Sequence, residues 1–457
     1  SGLPRHAGTV ENGKNGDLWT IDWSAVAGEG TYVIECVSPN GAVRSHPVSV
    51  QKNALERNTL SDVIYYFKGQ RSSGPWDKAD RTMKFEGKPG TVDVHGGWFD
   101  ATGDYGKHLS HLSFATYFNP QQISLTAWSL FQSLRELRRR NEPYFKQYEK
   151  RLLDEALFGA DYLVRIKDPA GSFDITVSGR GPEKKPEDRL ISPKAERHII
   201  LTPETKDKFR DYGRERIAGD AAYEAAYREG AGLSIAALAM AATEKVSGDF
   251  AGTDYLRAAE DAFAFLEKNN LRLTNDGKEN ILDDYGALTA ATELFRATKK
   301  AVYKAAADRR ASDLVARLVS SGPYHDYWRA DDGDRPFFHP VDAGLPVVSL
   351  LLYIDIADDA ARARVLEAVK KSLAFELGVT GEVTNPFGYS RQLVQSKGGA
   401  RRTSFFFPHD TETAPWWQGE NARLGSMAAA ARLAVRFFEQ DARFQIRKST
   451  RLNSSHT

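Results

Sequence analysis

The residues best suited by type and spacing to do chemistry run from Gly96 to Lys107, reading Gly-Gly-Trp-Phe-Asp-Ala-Thr-Gly-Asp-Tyr-Gly-Lys. Asp100 and Asp104 sit on a stretch punctuated by four glycines, which let a backbone turn tightly and approach a ligand closely. A carboxylate pair can hold and deprotonate a water, and Trp98 and Tyr105 offer flat faces of the kind on which sugar rings stack. The same Asp and Gly content suits an Asx turn or a calcium loop, so spacing alone leaves those readings open. Two like charges this close would raise one pKa, and Lys107 is expected to help keep both aspartates ionised.

A third acid, Glu412, has the opposite surroundings, with Phe405-Phe406-Phe407 before it and Ala414-Pro415-Trp416-Trp417 after it. Desolvation there disfavours the charged form and suits a general acid. A cap on the last helix or a pair with Arg401 is the plainer role for an isolated glutamate. Glu420 is the alternative acid, although its place just before the final helix equally suits an N-terminal dipole partner. Trp98, Tyr105, Trp416 and Trp417 are the aromatic candidates for a substrate cleft, with Trp328 and Tyr389 behind them. His409, preceding Asp410, is placed to hydrogen-bond a sugar hydroxyl. His108 and His111 read as structural, and no close histidine spacing suggests a metal site.

The elements that must position these groups fall into two kinds. Up to about Val50 the chain alternates in the manner of strands, in Leu18 to Trp23, Thr31 to Val37 and Val48 to Val50, with turns at Gly28 to Gly30 and Ser38 to Gly41. Three or four strands are too few for a free-standing sandwich, so this reads as the end of a β-domain leaning on the rest of the chain. Beyond Leu55 amphipathic helices take over: Ile123–Arg140 carries Trp128, Phe131, Leu134 and Leu137 on one face, and Leu152–Ile166 carries Leu153, Leu157, Ala160 and Leu163. Ala221–Lys245, Tyr255–Lys268, Gly286–Ala297, Asp308–Leu318, Leu345–Ile356, Asp359–Phe375 and Asn421–Phe438 continue the series. Helices in succession, with aromatic, Gly and Pro content in the connections, predict a ring of helical hairpins with a site on the loops at one end. No fixed short repeat supports a solenoid. The polar, serine-rich stretch Arg447–Thr457 is expected to lie outside the fold.

At 457 residues the chain can build a large core, and one dominant domain with an appendage is expected. Its 62 basic and 61 acidic residues leave a formal net charge of +1, which gives no electrostatic reason to invoke nucleic acid or an anionic membrane as partner. Cys36 is the single cysteine, so no intrachain disulfide and no cysteine-based zinc site can form. No apolar run reaches the roughly 18 residues of a membrane span, and no signal peptide is read.

Taken together these stretches resemble glycoside hydrolase family nine, the cellulase family with an (α/α)6 barrel and, in many members, an N-terminal immunoglobulin-like domain. The match is carried by Ile21 to Val26 with Gly30 to Val33, by the Gly96–Lys107 motif, by Glu229 to Ala239 and Ala290 to Thr298, by Asn385-Pro386-Phe387-Gly388 and by Glu412 to Trp417. The resemblance implies a mainly α fold with residues 1–52 as the trailing part of an immunoglobulin-like β-domain, 53–445 as the (α/α)6 catalytic barrel and 446–457 as a disordered tail. It further implies an inverting glycoside hydrolase of β-linked, β-1,4 in the first instance, glucan, oligosaccharide or glucosaminide. Asp104 would be the general base, Asp100 a second carboxylate on the same water and Glu412 the general acid. The chemistry requires no cofactor and is compatible with a structural calcium. The partner would be a poly- or oligosaccharide, and the location secreted or periplasmic.

The sequence also departs from the family pattern. Thr102 lengthens the motif by one residue between the aspartates, and the usual Pro-His-His-Arg segment is replaced by Ser396 to Arg402, which leaves Arg401, Arg402 or His409 to hold the central sugar. Ser178 to Arg210 is a charged, proline-bearing insertion expected to wall off one end of the cleft, which would favour exo-action or short oligosaccharides. A non-catalytic carbohydrate-binding relative is one alternative. A polysaccharide lyase on a similar toroid, with Tyr105, His108 and Arg402 enlisted, is the other.

Overall fold

The computed structural model describes residues 5–9, 17–20, 26, 28–101, 103–110, 120–179, 185–198, 214–216, 223–274, 276–385, 388–395, 399–405, 420–441 and 443–444. At the N-terminus β1 (Arg5–Thr9) pairs with β2 (Asp17–Thr20), β3 (Gly30–Tyr32) with β6 (Val48–Val50), and β4 (Glu35–Ser38) with β5 (Gly41–Arg44), all antiparallel. The expected strands form, but as three separate two-stranded pairs, and no residue between 28 and 50 is buried. Val33, Val37 and Val43 are exposed, as no second sheet covers them among the described residues. Cys36 is exposed as a free thiol.

The helical part begins with α1 (Ala54–Gly69) and the short α2 (Gly74–Asp80), followed by three minimal strands, β7 (Met83–Lys84), β8 (Thr91–Val92) and β9 (Lys107–His108). Helical hairpins then alternate: α3 (Ile123–Arg140) with α4 (Lys146–Arg165), α5 (Ala231–Ala241) with α6 (Gly252–Leu273), α7 (Ile281–Thr298) with α8 (Ala301–Val315), and α9 (Leu345–Tyr353) with α10 (Asp359–Thr380), before α11 (Glu420–Ala434). The first helix of each hairpin contacts the first helix of the next, from α3 through α5, α7 and α9 to α11. This is the inner and outer layering of an (α/α)6 barrel.

Composition explains which helix goes where. Every residue of α5 is buried, as an alanine-rich sequence with Ser234 as its one polar side chain requires, whereas α4 and α6 bury one stripe and expose the charged face. Where α5 crosses α7, a Cβ on Gly232 would lie 2.5 Å from the Gly286 carbonyl carbon, so only glycine permits the approach. Asn280 caps α7 by accepting from Leu282 N while Asp283 reaches back to Asn280 N, and Asp358 caps α10 through Ala361 N.

The helix expected over Ala221–Lys245 starts only at Ala231. Gly230, at φ 102°, breaks it, and the preceding chain is drawn out to hydrogen-bond with 173–175 through Ala225 N and Tyr223 O. Leu318 likewise leaves α8 to open a hairpin of β14 (Leu318–Ser321) and β15 (Tyr324–Trp328). Between α4 and α5 lie β10 (Thr176–Gly179), β11 (Arg189–Ile191) and the pair β12 (Ala195–His198) with β13 (Arg214–Arg216); β16 (Gln392–Val394) pairs with β17 (Arg402–Ser404). These strands, of three to five residues, are too short for an alternation to show in the sequence.

Candidate active site

The Gly96–Lys107 stretch folds as a braced turn at one end of the helical ring. Ser72 N donates to Gly97 O and Phe99 N to Gln70 O, tying its entry to the end of α1. Gly97 has φ 73° and lies against Tyr162, whose ring a Cβ would meet at 2.9 Å. Asp104 N donates to Ala101 O at 2.9 Å and Asp100 N to Gly106 O at 2.9 Å, so the two aspartates flank one tight reversal. Thr102 lies outside the described residues; on either side of it, Ala101 and Asp104 pair and close the reversal.

The carboxylates are only partly buried. Asp104 Oδ1 accepts from Gly106 N at 3.0 Å, and Asp100 Oδ1 accepts from the Gln122 side-chain amide, at the start of α3. Next to Gln122, Gln121 donates to Asp342 Oδ2 at 2.7 Å, which also takes the Tyr285 hydroxyl at 2.7 Å, so α3, α7 and the approach to α9 meet beside the turn. Among the described residues no group of three or more His, Cys, Asp or Glu side chains is arranged to hold a metal ion.

The aromatic side of the site differs from expectation. Trp98 is a core residue, 4% exposed, with Phe67 and Phe158 edge-on to it and its indole N–H given to Glu155 at 2.7 Å. It has no face for a sugar. The available surface belongs instead to Trp76 on α2, which stacks on Tyr105 at 4.2 Å, with Phe99 edge-on to Tyr105 at 5.1 Å; all three rings are half-buried. Trp76 was invisible to motif reading because it lies before Gly96 and reaches the turn only through α2.

Lys107 is the second correction. It does not face Asp100 and Asp104 but is wholly buried, pairing with Asp80 at 2.6 Å and donating to Val94 O and Gly96 O. Burial pushes its pKa down to about 8, against the pull of the Asp80 carboxylate. In the described part of the insertion, β11 pairs with β10, which in turn pairs with β9 through Thr176 and Val177, forming a three-stranded sheet that continues the turn, and Arg189 on β11 donates to Tyr105 O. His108 Nδ1 lies 3.1 Å from Thr176 Oγ1 in that sheet, a structural placement.

Glu412, His409, Trp416 and Trp417 lie outside the described residues, as does His111. Glu420 opens α11 and accepts from Arg423 at 3.0 Å; burial raises its pKa and Arg423 opposes the rise. Arg423 also lies 3.9 Å from Glu376 of α10, whose pKa burial raises as well. Arg401 is committed to Asp334, the Tyr327 hydroxyl and Gln395, which fastens its loop to the β14–β15 hairpin instead of leaving the guanidinium for a sugar. Arg402, on β17, is exposed. Trp328 is buried, whereas Tyr389 is exposed.

Comparison with known proteins places this arrangement. Residues 57–331 match the family model described as Glycosyl hydrolase family 9. Among solved structures, the chain is similar to a metagenome-derived family 9 endoglucanase at 18% identity and TM-score 0.55, over 94% of this chain and 69% of that one. It is also similar to a family 9 protein of Bacteroides ovatus, at 19% identity and TM-score 0.50 over 84% and 67%, and to a thermostable endoglucanase of Alicyclobacillus acidocaldarius, at 17% and 0.50 over 85% and 65%. The chain thus spans about two thirds of the length of these structures. No curated protein sequence matches it. With the family model covering more than half of its residues, the chain belongs to glycosyl hydrolase family 9, a family of glycoside hydrolases of the cellulase type.

Proposed function

We propose that this chain is an inverting glycoside hydrolase acting on β-linked glucan or its oligosaccharides, with β-1,4 linkages as first substrate and glucosaminides within the same class. The observation that carries the reading is the pair Asp100 and Asp104 on one braced turn beside the Trp76–Tyr105 stack. Residues 53–445 would form the catalytic unit and 1–52 the trailing part of an immunoglobulin-like domain. The secreted or periplasmic location common in the family is the expected one. Among the described residues no helix is long and apolar enough to cross a membrane.

In the proposed reaction the sugar lies across the Trp76–Tyr105 face. Asp104 takes a proton from a water that Asp100 orients, the water oxygen attacks the anomeric carbon, and the glycosidic bond breaks as Glu412 donates its proton to the leaving oxygen. Inversion requires the acid and base roughly 6.5–9.5 Å apart, so that water fits between carboxylate and sugar. Asp100 and Asp104 suit the basic side because each accepts from an amide donor, which fixes lone-pair direction. The test is incubation with defined cello-oligosaccharides and analysis of the products by proton NMR in the first minutes. The α-anomer should appear first. A β-anomer would overturn the inverting assignment, an ultraviolet-absorbing unsaturated product would mean elimination by a lyase, and binding without turnover would mean a carbohydrate-binding relative.

A further inference from the structure

Beneath the carboxylate turn lie three charged side chains that take no part in the proposed chemistry, Asp80, Lys107 and Arg189, each with no accessible surface. We propose that they are positioning residues which hold the turn in its water-orienting geometry, and that Arg189, brought in by the inserted segment, locks the limb that carries Asp104. The catalytic consequence rests on the hydrolase reading; the bracing itself does not.

The geometry is specific. Asp80 accepts from Lys107 at 2.6 Å and from Arg189 Nε and Nη2 at 2.6 and 3.1 Å, so both its oxygens are engaged. Lys107 spends its other protons on Val94 O at 2.5 Å and Gly96 O at 2.8 Å, where the chain enters the turn. Arg189 spends Nη1 on Tyr105 O, next to Asp104, where the chain leaves it. From α2, Asp77 completes the clamp by accepting from Gly96 N at 2.9 Å, and Val94 N donates to Asp80 O at 2.8 Å.

Two cations and one anion buried together are a costly way to stabilise a fold, since apolar residues of like volume often do as well. What charged groups add is direction: each donor here ends on a particular carbonyl of the turn. A displacement of about 1 Å in a reacting group costs roughly a hundredfold in rate, so fixing Tyr105 O and Gly96 O governs the chemistry without any contact with substrate. Arg189 also lies 5.7 Å from the Trp76 ring, linking the brace to the aromatic face.

The experiment compares Arg189→Gln and Arg189→Lys with the unaltered chain by amide hydrogen exchange over 96–108 and by steady-state kinetics on a cello-oligosaccharide. Arg189→Gln should accelerate exchange in that peptide at least tenfold while α5 and α7 remain protected. It should lower kcat about a hundredfold and leave KM within about threefold. Arg189→Lys keeps the charge opposite Asp80 but loses the second donor, and should recover part of both; if Arg189→Gln does not fold, this variant decides, with kcat reduced about tenfold. Unchanged exchange in 96–108 in the folded variants overturns the bracing. Accelerated exchange with unchanged kcat overturns the catalytic consequence. If the unaltered chain cleaves no oligosaccharide, the hydrolase reading falls and the exchange measurement still decides the brace.

Discussion

The turn bearing Asp100 and Asp104 and the start of α11, where Glu420 stands, hold their acids by opposite means. On the turn the carboxylates take neutral amide donors, and the charged partners sit below, engaged with backbone carbonyls. At α11, Glu420 and Glu376 are half-buried on either side of one cation, Arg423, and desolvation raises both pKa values. A general base needs an ionised oxygen pointing in a fixed direction, whereas a general acid needs an environment that keeps its proton. The difference shows that burial beside a single cation and amide donation on a turn set carboxyl groups toward unlike protonation within one fold.

The sharpest way to break the comparison is Asp104→Asn, expected to cut hydrolysis by about a thousandfold with an unchanged melting transition, measured by reducing-end release and circular dichroism. Retained turnover would detach the turn from the chemistry. Next, Glu412→Gln should lose roughly 10²–10⁴ in kcat, and Glu420→Gln no more than about tenfold; the reverse ranking would transfer the acid role to α11.

Trp98→Ala should cost about 3–5 kcal/mol of stability by denaturant titration, as a core tryptophan does, while Trp76→Ala should raise KM about tenfold with little loss of stability. The opposite pattern would restore Trp98 as the platform.

The smallest effect concerns Asp174, which lies just ahead of β10 on the turn's side of the molecule. Burial raises its pKa to about 7, and its Oδ1 has no hydrogen-bond partner. A carboxyl whose folded pKa exceeds the unfolded 3.8 binds more protons when folded, so its contribution to stability falls as pH rises from about 4 to 7. Asp174→Asn should therefore be more stable than the parent at pH 7 by about 1–3 kcal/mol, the difference closing near pH 4 in thermal melts at the two values. A constant difference across that range would remove the titration from the account.

Much of the scaffold was legible from periodicity. Ile123–Arg140 forms as read, because long amphipathic stripes report burial locally. The errors fell where a distant partner decides. Ala221–Lys245 loses its first part to pairing with 173–175, and β11 of the insertion becomes sheet because β10, itself paired with the distant β9, lies beside it. At the site, Asp100 and Asp104 were legible as a pair because a glycine-rich turn is a local device. Trp76, Asp80, Gln122 and Arg189 were not, since nothing in their own neighbourhoods marks them.

The sequence by itself determined that the chain is a helical ring with a carboxylate-bearing turn, since hydrophobic period and glycine spacing act over a few residues. Only the tertiary structure decided which side chains come to the surface beside the turn and which lie beneath it. Trp98 and Lys107 sit within the motif yet point into the interior, while Trp76 and Arg189 arrive from elsewhere. Side-chain direction is set by what packs on the other side, and no reading of neighbours along the chain contains that.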